Sequence, residues 1–360
     1  MPATTARFVF PLLIGVSLAL SACSSQPDKD APPFISTQNY LKSAYSAPTH
    51  YKFTGYDTRW AWGKHEVDVS LLVPEGQSNV PVIIYLPGLG EGANGGELWR
   101  QTWADAGYAV LSVQATRDNP SIYNSSNARD GAFRTIAANA FADTAARNRV
   151  EEVDRVLAEA RRRAAAGEPG FAALNTQKVA VAGFDLGAQT AAALAGERAP
   201  GQARAVDWKP VATLLLSPYV PGGADTRRYS QIDSPLLAIT GPLDEDPFSW
   251  VASAQQRVNL FGALPGDGYQ LLLDDATHLV LSGTIAKVDK TEKKPRSEEG
   301  GGPRPGRPAN PGFDARQAGS VAAVTIAFFD AKVKQSAGAQ QWLDDKAAAW
   351  LEPVGKLQHK

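Results

Sequence analysis

The sequence predicts an α/β protein with a mostly parallel central sheet flanked by helices. Strand-length runs, either apolar throughout or alternating, recur along the chain with helical segments between them, which is the order of βαβ units. The early runs stop at Pro/Gly turns, as at Pro74-Glu75-Gly76 and Pro87-Gly88. Hydrophobic residues make up 44% of the 360, enough to bury a sizeable core, which excludes a wholly disordered chain.

The elements are preceded by an address. Phe8 to Leu20 is an apolar run behind one basic residue, Arg7, and it is too short to span a bilayer. It ends in Leu20-Ser21-Ala22-Cys23, which resembles the lipobox of a bacterial lipoprotein. The resemblance implies that residues 1–22 are a signal peptide and that Cys23 becomes an acylated N-terminus. The protein would then be lipid-anchored in the bacterial cell envelope, and Ser24 is compatible with the periplasmic face of the outer membrane. Residues 23–38, polar and Pro-bearing, are expected to be a flexible tether.

A folded domain is expected over residues 39–351. Glu66 to Val73 is an alternating strand, His65 lies in an early hairpin, and Val82 to Leu86 is a run suited to a buried strand. A helix over Glu97 to Ala106 and a strand over Ala109 to Val113 follow. A polar loop from Thr116 to Asp130 precedes a long helix, Phe133 to Ala165, with Val150, Val153 and Leu157 on one face. Strands are expected at Lys178–Ala182, Val211–Leu216, Leu236–Thr240 and Tyr269–Leu273, and a helix at Leu186–Arg198. Val321 to Val333 and Gln340 to Leu351 close the domain as helices. Residues 287–312, charged and then dense in Gly and Pro, cannot offset their ordering entropy by burial and read as a disordered loop insertion. Residues 352–360 are expected to be a C-terminal tail.

Charge and composition narrow the chemistry. Lys+Arg 36 against Asp+Glu 37 leaves a net charge of -1, so no basic excess points to nucleic acid. A single cysteine and four scattered histidines offer no thiolate cluster, so neither a metal nor an organic cofactor is expected.

The informative stretch is Val179-Ala180-Val181-Ala182-Gly183-Phe184-Asp185-Leu186-Gly187, a strand, a small-residue turn and a helix start. It has the context of the nucleophile elbow G-x-S-x-G, with Asp185 at the reactive position. Leu237 to Asp244 is a strand ending in G-x-x-D, so Asp244 falls at the position of a triad acid, with Asp246 as the neighbouring choice if the register slips. Leu271 to His278 is a strand followed by a loop histidine. The other histidines are poorly placed: His50 adjoins the tether, His65 lies in the hairpin, and His359 is beside the end.

In this order of nucleophile, acid and histidine the chain resembles the α/β-hydrolase superfamily, and among its members the cap-less dienelactone hydrolase, cutinase and lipase-like esterases. The resemblance spans Val82 to about Val333, and Pro218 to Asp233 is too short for a helical cap. It implies a catalytic set of Asp185, His278 and Asp244, with backbone N–H groups of Leu89 and Leu186 forming an oxyanion hole. An aspartate at the elbow is shared with epoxide hydrolases and haloalkane dehalogenases, where a carboxylate oxygen attacks carbon and histidine activates water to hydrolyse the resulting ester. The expected activity is therefore a membrane-tethered hydrolase acting on a small or lipid-like ester, lactone, epoxide or halide. The alternative is a catalytically inactive lipoprotein that binds a ligand in the former cleft. The oligomeric state leaves no trace in the sequence.

Overall fold

Val82-Ile83-Ile84-Tyr85-Leu86 and Val179-Ala180-Val181-Ala182 place apolar side chains on consecutive positions, so both faces of these strands must be covered. The computed structural model of the chain describes residues 36–63, 65–220, 226–248, 253–284 and 315–360, and it meets this demand with one nine-stranded sheet between helices. The chain opens with α1 (Thr37–Lys42), β1 (Phe53–Trp62), β2 (His65–Pro74), β3 (Val80–Leu86), α2 (Glu97–Asp105) and β4 (Ala109–Ala115). There follow α3 (Ser126–Arg129), α4 (Phe133–Ala140), α5 (Asp143–Ala165), β5 (Leu174–Phe184), α6 (Leu186–Ala195), β6 (Thr213–Leu216) and β7 (Leu236–Thr240). The last elements are α7 (Ala254–Ala263), β8 (Gly268–Leu273), α8 (His278–Ser282), α9 (Ala315–Lys332), α10 (Ala337–Asp345), α11 (Ala347–Leu351) and β9 (Gly355–His359).

The strand order is β1-β2-β4-β3-β5-β6-β7-β8-β9. From β4 through β8 the neighbours run parallel, while β1, β2 and β9 pair antiparallel at the two margins. Period-two alternation assigns the faces. In β3, Ile83 and Tyr85 join the core under α2, α9 and α10, with Trp99, Trp103, Phe328 and Phe329. Val82, Ile84 and Leu86 join the opposite core, closed by Val150, Val153 and Leu157 of α5 and by the alanine-rich α6. The small side chains of α6 let that helix lie close against the sheet behind the turn that precedes it.

Four departures from the expected pattern have local causes. The single helix expected over Phe133 to Ala165 is broken, because Phe141 turns inward to stack on Tyr219 at 4.5 Å between centroids. The carbonyls freed there are bound by buried side chains, Ala140 O by Arg149 Nη1 at 2.7 Å and Phe141 O by Gln189 Nε2 at 2.8 Å. The polar loop after β4 is wound into short helical turns, including α3. Helix α1 begins inside the stretch expected to be tether. The C-terminal tail expected over 352–360 is corrected: residues 355–359 add β9 to the edge of β8, with the His359 ring stacked on Tyr269 at 3.9 Å. The backbone groups of β8 would otherwise be open at that edge.

Cys23, the signal segment, most of the tether and the insertion at 287–312 lie outside the described residues. Among the described residues no helix is long and apolar enough to cross a membrane.

Candidate active site

The turn between β5 and α6 is made by two close approaches. A Cβ on Gly183 would run into the Gly187 carbonyl, and one on Gly187 would run into the carbonyl of Leu86, so only glycines bring the strand, the turn and the helix this near. Between them Asp185 is held at φ 51° and ψ -109°, a conformation costly for any residue with a side chain. Its amide is tied to Leu216 O of β6 at 3.1 Å, which fixes the turn over the carboxyl end of the sheet. The side chain is buried, and Oδ2 accepts from the backbone N–H of Leu89 at 3.3 Å. Leu186 opens α6, so its N–H is one of the helix-start donors without an intrahelical acceptor.

The Leu89 turn is itself clamped. Gln114 Nε2, buried on β4, donates to the carbonyls of Gly88 and Glu91 at 2.9 Å each. Glu91 Oε2 accepts from Gly88 N at 2.9 Å, and Oε1 takes the Thr284 hydroxyl at 2.9 Å, joining this turn to the segment after α8. Burial pushes the Glu91 carboxyl above its ordinary range, and the neighbouring Asp185 pushes the same way.

Asp244 and His278 meet as the sequence expects. His278 Nδ1 lies 2.9 Å from Asp244 Oδ1, while Asp246 uses Oδ1 to accept from Phe248 N at 2.9 Å. Asp244 is completely buried. Its Oδ2 accepts from Thr240 Oγ1 at 2.8 Å and lies 3.7 Å from Nε of Arg257, whose guanidinium is also fully buried. Burial alone would push Asp244 up; the bond to His278, the Arg257 charge and the Ser217 hydroxyl outweigh it and hold the carboxylate below its ordinary range. The remaining histidines are engaged elsewhere: His50 with Asp105, His65 with Glu152 and His359 with Asp267.

With Nδ1 directed at Asp244, Nε2 of His278 is left for the cleft that also receives Asp185. This cleft has a volume of about 570 Å³, and its walls are largely apolar, with Leu89, Tyr123, Phe133, Phe184, Phe248 and Leu279. Burial pushes the Asp185 carboxyl above its ordinary range; the charges of His278 and Arg257 and the Leu89 N–H pull it back, and Asp246 adds to the rise. Chemically, the site offers a desolvated carboxylate aimed by a strained turn, a nitrogen that can take a proton from water, and a backbone donor, the Leu89 N–H, on the carboxyl group. Among the described residues no cluster of side chains suited to hold a metal ion occurs.

Two residues beside Asp244 escaped the sequence reading. Ser217, directly after β6, bonds both Asp244 and His278, and Arg257 on α7 supplies the buried positive charge. A polar residue at the carboxyl end of a parallel strand is the signal that could have found Ser217. Arg257 has no such signal, because its burial is decided by the packing of α7.

No family model matches the chain, and no curated protein matches it.

Proposed function

We propose that the chain is an α/β-hydrolase in which Asp185 is the nucleophile, His278 the general base and Asp244 the residue that orients and charges the imidazole. The observation that carries this reading is the Leu89 N–H on Asp185 Oδ2. A serine enzyme keeps that donor for the oxyanion of its substrate; here the nucleophile's own carboxyl already occupies it. That suits a reaction whose oxyanion develops on Asp185.

With an epoxide or halide, an oxygen of Asp185 forms a bond to the sp3 carbon as the carbon–oxygen or carbon–halogen bond breaks, giving an ester on the aspartate and a halide ion or an opened-ring oxygen that takes a proton from water. Nε2 of His278 then takes a proton from water, the hydroxide adds to Asp185 Cγ, and the displaced alkoxide leaves as an alcohol with that proton. With an activated ester or lactone the bond forms at the carbonyl carbon as alkoxide leaves, giving a mixed anhydride that the same attack of water resolves into two carboxyl groups, the imidazole taking the proton. The Leu89 and Leu186 N–H groups hold the transient negative oxygen. Asp244 stabilises the imidazolium, and Arg257 compensates the charge of Asp244 while it is buried. The apolar walls fit a small or lipid-like ester, lactone, epoxide or halide. The sequence at Cys23 supports a lipid anchor in the bacterial envelope as the place where such a substrate is met.

The test is turnover of activated esters, epoxides and haloalkanes by the native protein beside Asp185→Ala, Asp185→Ser and His278→Ala. Native turnover should vanish in both alanine variants. His278→Ala should accumulate an ester on Asp185, seen as a mass increase on the peptide that contains it. A native protein inert to every class, with only Asp185→Ser gaining esterase activity, would refute the aspartate nucleophile and favour a ligand-binding protein.

A further inference from the structure

Ser217 lies where two hydrogen-bonding needs conflict. Its Oγ is 2.7 Å from Asp244 Oδ1 and 2.8 Å from His278 Nδ1, and Nδ1 is itself 2.9 Å from the same Oδ1. A carboxylate only accepts, so Asp244 can serve Nδ1 only while that nitrogen carries a proton. A hydroxyl also donates, so Ser217 can serve Nδ1 when it is bare. The neighbouring hydroxyl of Thr240 is committed to the other oxygen, Oδ2, at 2.8 Å.

The backbone makes the serine harder to dismiss as packing. Ser217 is fully buried with φ 49°, a region that favours glycine, and it is locked there by Arg257 Nη1, which donates to its carbonyl at 2.8 Å. Its amide is tied to Ile239 O of β7 at 2.9 Å, so β7 and α7 both hold this one residue.

We propose that Ser217 is a positioning residue that lets His278 carry its proton on either ring nitrogen. With the proton on Nδ1, both that N–H and the Ser217 hydroxyl donate to Asp244 Oδ1. With the proton on Nε2, the hydroxyl turns and donates to bare Nδ1. The need for both states rests on the reading of Asp185 as nucleophile. While Asp185 is a free carboxylate, its charge in the cleft favours a proton on Nε2. Once it is esterified that charge is gone, and Nε2 must be bare to accept a proton from water. The charged groups around the ring are Asp244 and Arg257 behind it and Asp185 and Glu91 on the cleft side. Of these, only the charge of Asp185 changes during the proposed reaction.

The tautomer ratio can be read without substrate, from the ¹⁵N shifts of labelled histidine at a pH where the ring is neutral, with His278 assigned by its loss in His278→Gln. The native ring should populate both tautomers. Ser217→Ala keeps the backbone strain and Ser217→Gly relieves it, yet both lack the hydroxyl. Each form then loses one bond, but only the Nε2–H form is left with a buried acceptor, bare Nδ1, that has no donor, while Asp244 keeps Thr240 and the Nδ1–H. Both variants should therefore shift His278 toward the Nδ1–H form by about fivefold, the low end of the cost of an unmet buried acceptor. Unchanged signals from His50, His65 and His359 would show that the fold is kept. A native ring already wholly in the Nδ1–H form, a ratio that stays put in either variant, or a shift in only one of them overturns the proposal. Inert behaviour toward the substrate panel would refute the nucleophile and leave this result to stand or fall separately.

Discussion

At the scale of the residue, Asp185 has a carboxyl group whose charge is opposed by its burial and whose proposed attack requires that charge. Burial raises its affinity for a proton, and Asp246 adds to the rise. The formation of the covalent ester should then increase with pH along a single ionisation whose midpoint lies above the ordinary aspartate value of 3.8. Single-turnover adduct formation on His278→Ala measures this without the histidine's own titration, and a midpoint at or below that value would contradict it. Asp185, Asp244 and His278 stood out in the sequence through glycine spacing and strand ends, and Leu89 and Leu186 only through the resemblance. Ser217 was not, since its role depends on β6 lying between β5 and β7. Arg257 was not, since nothing local tells a buried arginine from an exposed one.

At the scale of the element, the turn into α6 depends on backbone contact and not on side-chain filling. Gly187→Ala should cost about 1–3 kcal/mol of stability in urea unfolding, because the methyl meets the Leu86 carbonyl and rigid backbone cannot yield cheaply. Gly338→Ala makes the contrast. In α10 its Cβ would meet nothing within 4 Å, so the same change should stabilise by about 0.5 kcal/mol. Equal effects of one sign would contradict the account. The strands buried on both faces were readable because continuous apolar runs have no other use. The margins were not: β1 is largely exposed along its length, and Gly355-Lys356-Leu357-Gln358-His359 has no apolar periodicity. Such strands exist because a neighbour's edge needs partners, which a local window cannot contain.

At the scale of the whole molecule, burial pushes up the carboxyls of Glu91, Asp118, Asp185 and Glu197, the last to about 7. A group raised on folding binds more protons in the native than in the unfolded chain. Its stabilisation is complete below its unfolded value and is lost as pH rises through its folded value. The unfolding free energy should therefore fall between about pH 4.5 and 7, with Glu197 contributing at most about 1.4 kcal/mol per pH unit. Glu197→Gln should flatten that slope in denaturant titrations at several pH values; a slope identical to that of the native protein would contradict the assignment. The sheet also carries a dependence between distant parts of the chain. Strand β8 leads to His278, and its outer edge is paired by β9, whose residues do not line the cleft. A substitution that blocks this pairing, such as Leu357→Pro, would leave the strand that carries the imidazole open at its edge. The hold on His278 thus comes in part from a segment that offers the cleft no side chain of its own.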